Sequence, residues 1–138
     1  MILGIDPGAN KGVAFFIGGK LLSLETVAPW GIAFALRNNI SRVVFEDSRL
    51  QSNVWITSKL TRPAALKVAR NLGQVDAWCS LIVALCAEQK IPCHGISPKA
   101  KGEKLNAVQF AKLTGWIGKN NQHERDAAMV GWAYRGAK

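Results

Sequence analysis

Three acids stand where the chain could use them for chemistry. Asp6 ends the apolar run Met1-Ile2-Leu3-Gly4-Ile5 and is followed at once by Pro7-Gly8, Glu46 ends Arg42-Val43-Val44-Phe45, and Asp126 lies early in the segment opened by Gln122. A carboxylate at the tip of a buried strand is costly to keep ionised unless a cation or hydrogen bonds compensate it. Adjacent strands lie ~4.8 Å apart, so Asp6 and Glu46 at neighbouring tips could share a divalent metal ion. His123 is three residues before Asp126 and faces the same way on a helix, whereas Glu124 points elsewhere. Plainer readings stand beside these. Asp-Pro-Gly is also a turn signal, a strand-end glutamate can be merely solvated, and acids in a first helical turn suit the helix dipole.

The basic residues form a second group. Eighteen Lys and Arg against nine Asp and Glu give a net charge of +9 and a pI near 9.9, which favours an anionic partner, nucleic acid before any other. The loop Lys99-Ala100-Lys101-Gly102-Glu103-Lys104 opens into a helix and reads as a phosphate cradle. Lys67 and Arg70 share a helix face and could touch phosphates, although solvated surface lysines look the same in sequence. Arg49 and Trp55 fall in the aperiodic stretch 48–58, where a Trp beside a basic residue could stack on or wedge between bases, or simply cover the core.

The elements that must carry these groups follow from pattern. After Asp6, Lys11–Ile17 reads as a strand, Gly18-Gly19-Lys20 as a tight turn and Leu21–Val27 as a third strand, together an antiparallel meander. Pro29 suits the first turn of a short amphipathic helix from Trp30 to Leu36, ending at Asn38-Asn39 and leading to the strand Arg42–Glu46. A strand, helix and strand with short links make a right-handed crossover, which sets the fourth strand parallel to a strand already in the sheet. If that neighbour is the first strand, Asp6 and Glu46 end side by side at the carboxyl edge, where open sheets place their sites. Pro63 to about Lys90 is one long helix or two abutting at Gly73, and its half Trp78–Leu85 is apolar on most sides, as if covered by sheet and partner. Ile91–Pro98 is a short fifth strand at the sheet edge, given its prolines. Helices from Leu105 to Leu113 and from Gln122 to Tyr134 complete the chain, and Ala127, Ala128 and Gly131 let the last one lie close to the sheet.

These features predict one domain over residues 1–138, soluble and cytoplasmic, without a secretory leader or a run of about 20 apolar residues. Cys79, Cys86 and Cys93 are odd in number and too widely spaced for a zinc site, and they read as small core hydrophobes. No basic amphipathic helix suggests a membrane surface.

The order of elements resembles the RNase H-like nuclease fold, and the residues resemble the RuvC family of Holliday junction resolvases. The likeness spans nearly the whole chain. It is carried by Gly4-Ile5-Asp6-Pro7-Gly8, Phe45-Glu46, Asn71-Leu72-Gly73-Gln74, Ile91-Pro92, Pro98 with Lys101, Lys104 with Val108, and His123-Glu124-Arg125-Asp126-Ala127-Ala128. The resemblance implies an α/β domain with a five-stranded mixed sheet, three antiparallel strands and then two parallel, flanked by helices. It implies metal ligands at Asp6, Glu46 and Asp126, with His123 in the family's acid-or-histidine position, and active-site lysines at Lys101 and Lys104. It implies two Mg²⁺ ions, for which Mn²⁺ substitutes, acting in an in-line attack that leaves 5′-phosphates. A homodimer making paired nicks in four-way or other branched DNA is implied as well, with no small-molecule cofactor. The chain departs from the family in its compactness, in a trimmed basic loop, and in Arg49-Leu50 where the family carries an aromatic after the second acid. Two other readings stay open: a nuclease of the same fold acting on RNA or RNA–DNA hybrid, and a branched nucleic-acid-binding protein that does not cut. Asp6-Pro7-Gly8 also resembles the phosphate loop of actin-like ATPases, but those need a second such motif and a second domain.

Overall fold

A computed structural model describes residues 1–51 and 60–137. Trp55 and most of the 48–58 stretch lie outside the described residues.

β1 (Ile2–Asp6), β2 (Lys11–Ile17) and β3 (Lys20–Val27) form the expected meander, with Asp6 opposite Gly12 across the first pair. The turn is two residues rather than three: Gly18 and Gly19 have φ of 56° and 78°, and Lys20 already belongs to β3. Glycine takes such angles at no steric cost. α1 (Gly31–Ala35) then leads to β4 (Arg42–Glu46), which pairs parallel with β1, and Ile5 stands beside Phe45. The crossover therefore places Asp6 and Glu46 in adjacent positions one residue further on. β5 (Cys93–Ile96) runs parallel to β4 at the sheet edge, and among the described residues the strand order is β3-β2-β1-β4-β5.

Several boundaries differ from expectation. α1 is five residues long, and Trp30, expected inside it, is its N-cap and 73% exposed. α2 (Arg62–Glu88) passes through Gly73 as one helix, since the cost of about 1 kcal/mol for an exposed glycine is small beside its buried face of Cys79, Ile82 and Cys86. Ser48–Leu50, expected to be irregular, is a 3-10 turn capped by Asp47, whose side chain accepts from the Arg49 N–H. α3 (Ala107–Thr114) starts two residues later than predicted because Asn106 and Gln109 make a capping box. α4 (Gln122–Trp132) ends two residues before the expected Tyr134.

Alternation along the strands sorts the core into two layers. Leu3, Ile5, Val13, Phe15, Val43 and Phe45 pack against α1 and α2 through Ile32, Leu36, Cys79, Ile82 and Cys86. Ile2, Ala14 and Phe16 pack against Phe110, Ala127 and Ala128 of α3 and α4, and Val44 meets Val130. The same parity puts Asp6 and Glu46 on the α4 side. Two glycines let α4 approach the backbone: a Cβ on Gly4 would lie 2.5 Å from the Ala127 carbonyl oxygen, and one on Gly12 would collide with the His123 carbonyl.

Gly12→Ala should therefore push the first turn of α4 off β2. The expected loss is about 1–3 kcal/mol of stability, read from urea unfolding, together with weaker activity, because that turn carries His123 and leads directly into Asp126.

Candidate active site

Asp6 leaves β1, Glu46 leaves β4 and Asp126 leaves the second turn of α4, all at the carboxyl end of the parallel strands. Asp126 is almost fully buried. Glu46 is held from behind by α2, where the Cys79 thiol lies 3.6 Å from the Glu46 carbonyl oxygen and can donate to it. The fourth participant arrives from the turn after β5. The Lys101 ammonium is in ion-pair contact with Glu46 Oε2 and lies 3.9 Å from Asp126 Oδ2, with its side chain only 11% exposed.

Electrostatics show how tightly these charges are coupled. Burial pushes the Asp6 carboxyl up to about 6, the Lys101 ammonium works against that, and the Glu46 and Asp126 carboxylates add to it. His123 is close enough to pull in the opposite direction. Burial also works against the charge on Lys101, yet the Glu46 hydrogen bond and the three carboxylates outweigh it and hold the ammonium above its ordinary value. Glu46 Oε2 is buried against the Lys101 ammonium. Among the described residues no set of three or more His, Cys, Asp or Glu side chains is arranged closely enough to hold a metal ion. The Lys101 ammonium lies among the acids instead.

The structure brings together Asp6, Glu46, Asp126, His123 and Lys101 and leaves the other predicted residues apart. Lys99 and Lys104 are exposed. Lys104 precedes the Asn106 cap, whose side chain accepts from the Gln109 N–H and so takes one of the first free N–H groups of α3. Lys67 and Arg70 line an open groove on α2 with Pro63, Leu66 and Asn71. Arg49 was expected to face nucleic acid. Its guanidinium instead clamps Asp47 through two bonds of 2.8 Å and donates to Ser80 at 3.2 Å. Those bonds hold the Asp47 carboxyl well below the usual range, against the effect of its burial. Glu124 caps its own helix and accepts from Thr26 at 3.1 Å, in keeping with a structural acid.

Lys11 is the residue that sequence reasoning missed. It is 1% exposed, its ammonium donates to the Gly8 carbonyl at 3.1 Å, and it sits 3.7 Å from the centre of the Trp78 ring. Burial lowers its affinity for its proton, and the nearby Asp6 charge partly restores it. The signal was its place in a strand whose other inner positions are all apolar.

No protein-family model matches the sequence, and no curated protein matches it. Solved structures do. A structure of Thermus thermophilus RuvC in complex with a Holliday junction substrate is 18% identical, with a TM-score of 0.59 over 95% of this chain and 89% of that one. A second Thermus thermophilus RuvC structure is 17% identical, with a TM-score of 0.59 over 95% and 90% of the two chains. From the meander through the crossover to the last helix, this chain carries the RNase H-like fold of RuvC.

Proposed function

We propose that this chain is a divalent-metal-dependent endonuclease acting on branched DNA, four-way junctions foremost. The observation that supports it is the Lys101 ammonium lodged between Glu46 and Asp126, with Asp6 near enough for its carboxyl to feel the charges of all three. The donor set fits Mg²⁺, which prefers carboxylate oxygen. Burial and the Glu46 and Asp126 charges destabilise the Asp6 carboxyl as an anion, so it would gain from added positive charge. Asp6, Glu46 and Asp126 would hold the ions, with His123 beside them. When bound, such ions supply an activated water and Lewis-acid stabilisation of the leaving oxygen.

The residues of the chain do the rest. Lys101 turns from the carboxylates toward the scissile phosphate and offsets its growing charge, with Lys104 nearby on the same loop. Lys67, Arg70 and Lys99 neutralise phosphates further out, which makes affinity fall steeply with salt. One structural neighbour is itself seen with a Holliday junction substrate. Paired nicks leaving 5′-phosphates are the expected products. Incubation with a labelled junction, a linear duplex and an RNA–DNA hybrid, each with and without Mg²⁺, tests the reading. Preferred nicking of the hybrid would move the assignment to a ribonuclease, and binding without nicking would make the chain a non-catalytic partner of junctions.

Paired cuts call for two copies of the site, and we read the chain as a two-fold dimer. α2 leaves Leu66 57% and Leu81 40% exposed on one flank, side chains that a second copy would cover. Sedimentation at micromolar concentration should give about 30 kDa, twice the 15.0 kDa of the chain. A monomer that still makes paired cuts on free junctions would reject the dimer. No helix among the described residues is long and apolar enough to cross a membrane.

A further inference from the structure

Behind the Asp126 carboxylate lies a chain of polar groups that the chemistry above does not use. Gln122 Nε2 donates to Asp126 Oδ1 at 2.8 Å, and Gln122 Oε1 accepts from Arg125 Nη2 at 3.0 Å. A guanidinium only donates and a carboxylate only accepts, so the orientation of the amide between them is determined. The same guanidinium donates through Nη1 to Asn120 Oδ1 at 2.7 Å and through Nε to the Leu105 carbonyl at 2.9 Å. Arg125 therefore ties the start of α4 to the segment leaving the Lys101–Lys104 loop. Spacings of three and four residues put Arg125 and Asp126 on the same side of the helix as Gln122.

The consequence falls on Asp126. Its Oδ1 is occupied by a neutral amide and its Oδ2 is turned to Lys101, 3.9 Å away. We propose that Gln122 and Arg125 are positioning residues: the guanidinium sets the Gln122 amide, and the amide turns Asp126 so that only Oδ2 faces the cation position. The inference rests on the metal-dependent reading above. It adds a prediction that the three acids alone do not make: metal affinity depends on two residues that never touch the metal. Removing the polar group that orients a ligand costs metal affinity about 10- to 100-fold in general.

The test uses the full chain, free of DNA, titrated calorimetrically with Mn²⁺, and then single-turnover nicking of a labelled four-way junction as Mg²⁺ is varied. Gln122→Leu should weaken Mn²⁺ about 10- to 100-fold and raise the Mg²⁺ concentration for half-maximal nicking by the same factor. The rate at saturating Mg²⁺ should stay close to wild type, because positioning is restored once the ion is forced in. Arg125→Lys keeps the charge but loses the planar fork, and should move the same two quantities in the same direction by less. It carries the test alone if Gln122→Leu does not fold. Wild-type Mn²⁺ affinity in both variants, or a lower saturating rate with an unmoved Mg²⁺ midpoint, overturns the positioning role. Asp6→Asn is the control that separates the two ideas. If it binds Mn²⁺ and nicks like wild type, or if wild type does neither, the metal reading itself falls. If Asp6→Asn loses both while Gln122→Leu loses neither, the positioning role alone falls.

Discussion

Asp6→Asn should abolish Mg²⁺-dependent nicking while making the protein harder to unfold at neutral pH. The amide keeps the size of the side chain but cannot supply the charge that draws two cations together. Several kcal/mol of transition-state stabilisation is lost with them, about a thousandfold or more in rate. The stability gain follows from linkage. The Asp6 carboxyl rises from its ordinary 3.8 to about 6 on folding, chiefly through burial. Between those values the folded chain holds a proton that the unfolded chain has released, so stability falls as pH rises through that window and stays lower above it. A shift of that size corresponds to a cost of about 3 kcal/mol at pH 7, which asparagine does not incur. Urea unfolding without metal should find Asp6→Asn more stable than wild type at pH 7.5 and nearly equal to it at pH 4. A variant that is less stable at both values would show that Asp6 is held by hydrogen bonds in a turn rather than stranded among other acids.

Lys101→Met should have the opposite signature. Its ammonium is nearly buried against Glu46 and Asp126, and removing one partner of such a pair leaves uncompensated charge, at a cost of about 3 kcal/mol. Because the carboxylates hold Lys101 above its ordinary value, it stays charged throughout the neutral range and its contribution is lost only in strong alkali. The variant should therefore unfold early in chelator at pH 7.5 and recover with millimolar Mg²⁺, which takes over the vacated position. Metal binding without DNA should tighten, since the ion no longer displaces an ammonium. Nicking should fall about a hundredfold or more even at saturating Mg²⁺, as the developing phosphate charge loses its cation. Thermal melts with and without Mg²⁺ would separate this from a simple fold defect, for which added metal restores nothing.

The acids at the strand tips were legible because their positions follow from rules of period and connection. Parity along β1 and β4 fixes the side on which Asp6 and Glu46 emerge, and the handed crossover makes those strands neighbours. The spacing of His123 and Asp126 did the same work on α4. What escaped lies in segments without a period. The place of Lys101 in the site came from the family resemblance and not from pattern, because it belongs to a turn whose backbone could aim an ammonium outward at DNA or inward at acids, and the pull of three carboxylates decides between them. Lys11 reads as a solvated strand residue until Trp78, far along the chain, is known to cover it. Arg49 reads as a free cation until Asp47, two residues away, is seen to fold the stretch back on itself. The start of α3 was misplaced because Asn106 and Gln109 form a less familiar pair of capping residues than serine and glutamate.

The contact of α4 with Gly4 and Gly12 is made by backbone on backbone, with no side chain interposed. The separation between the strand tips and Asp126 is thus a property of the main chain, and exchanges among the remaining residues of that interface alter packing without altering the gauge of the site. A designer wishing to move the carboxylates apart, to suit a larger cation or a different polymer, would gain little from repacking the core. Spacers at positions 4 and 12 are the direct adjustments, each coarse, in steps of a methyl group.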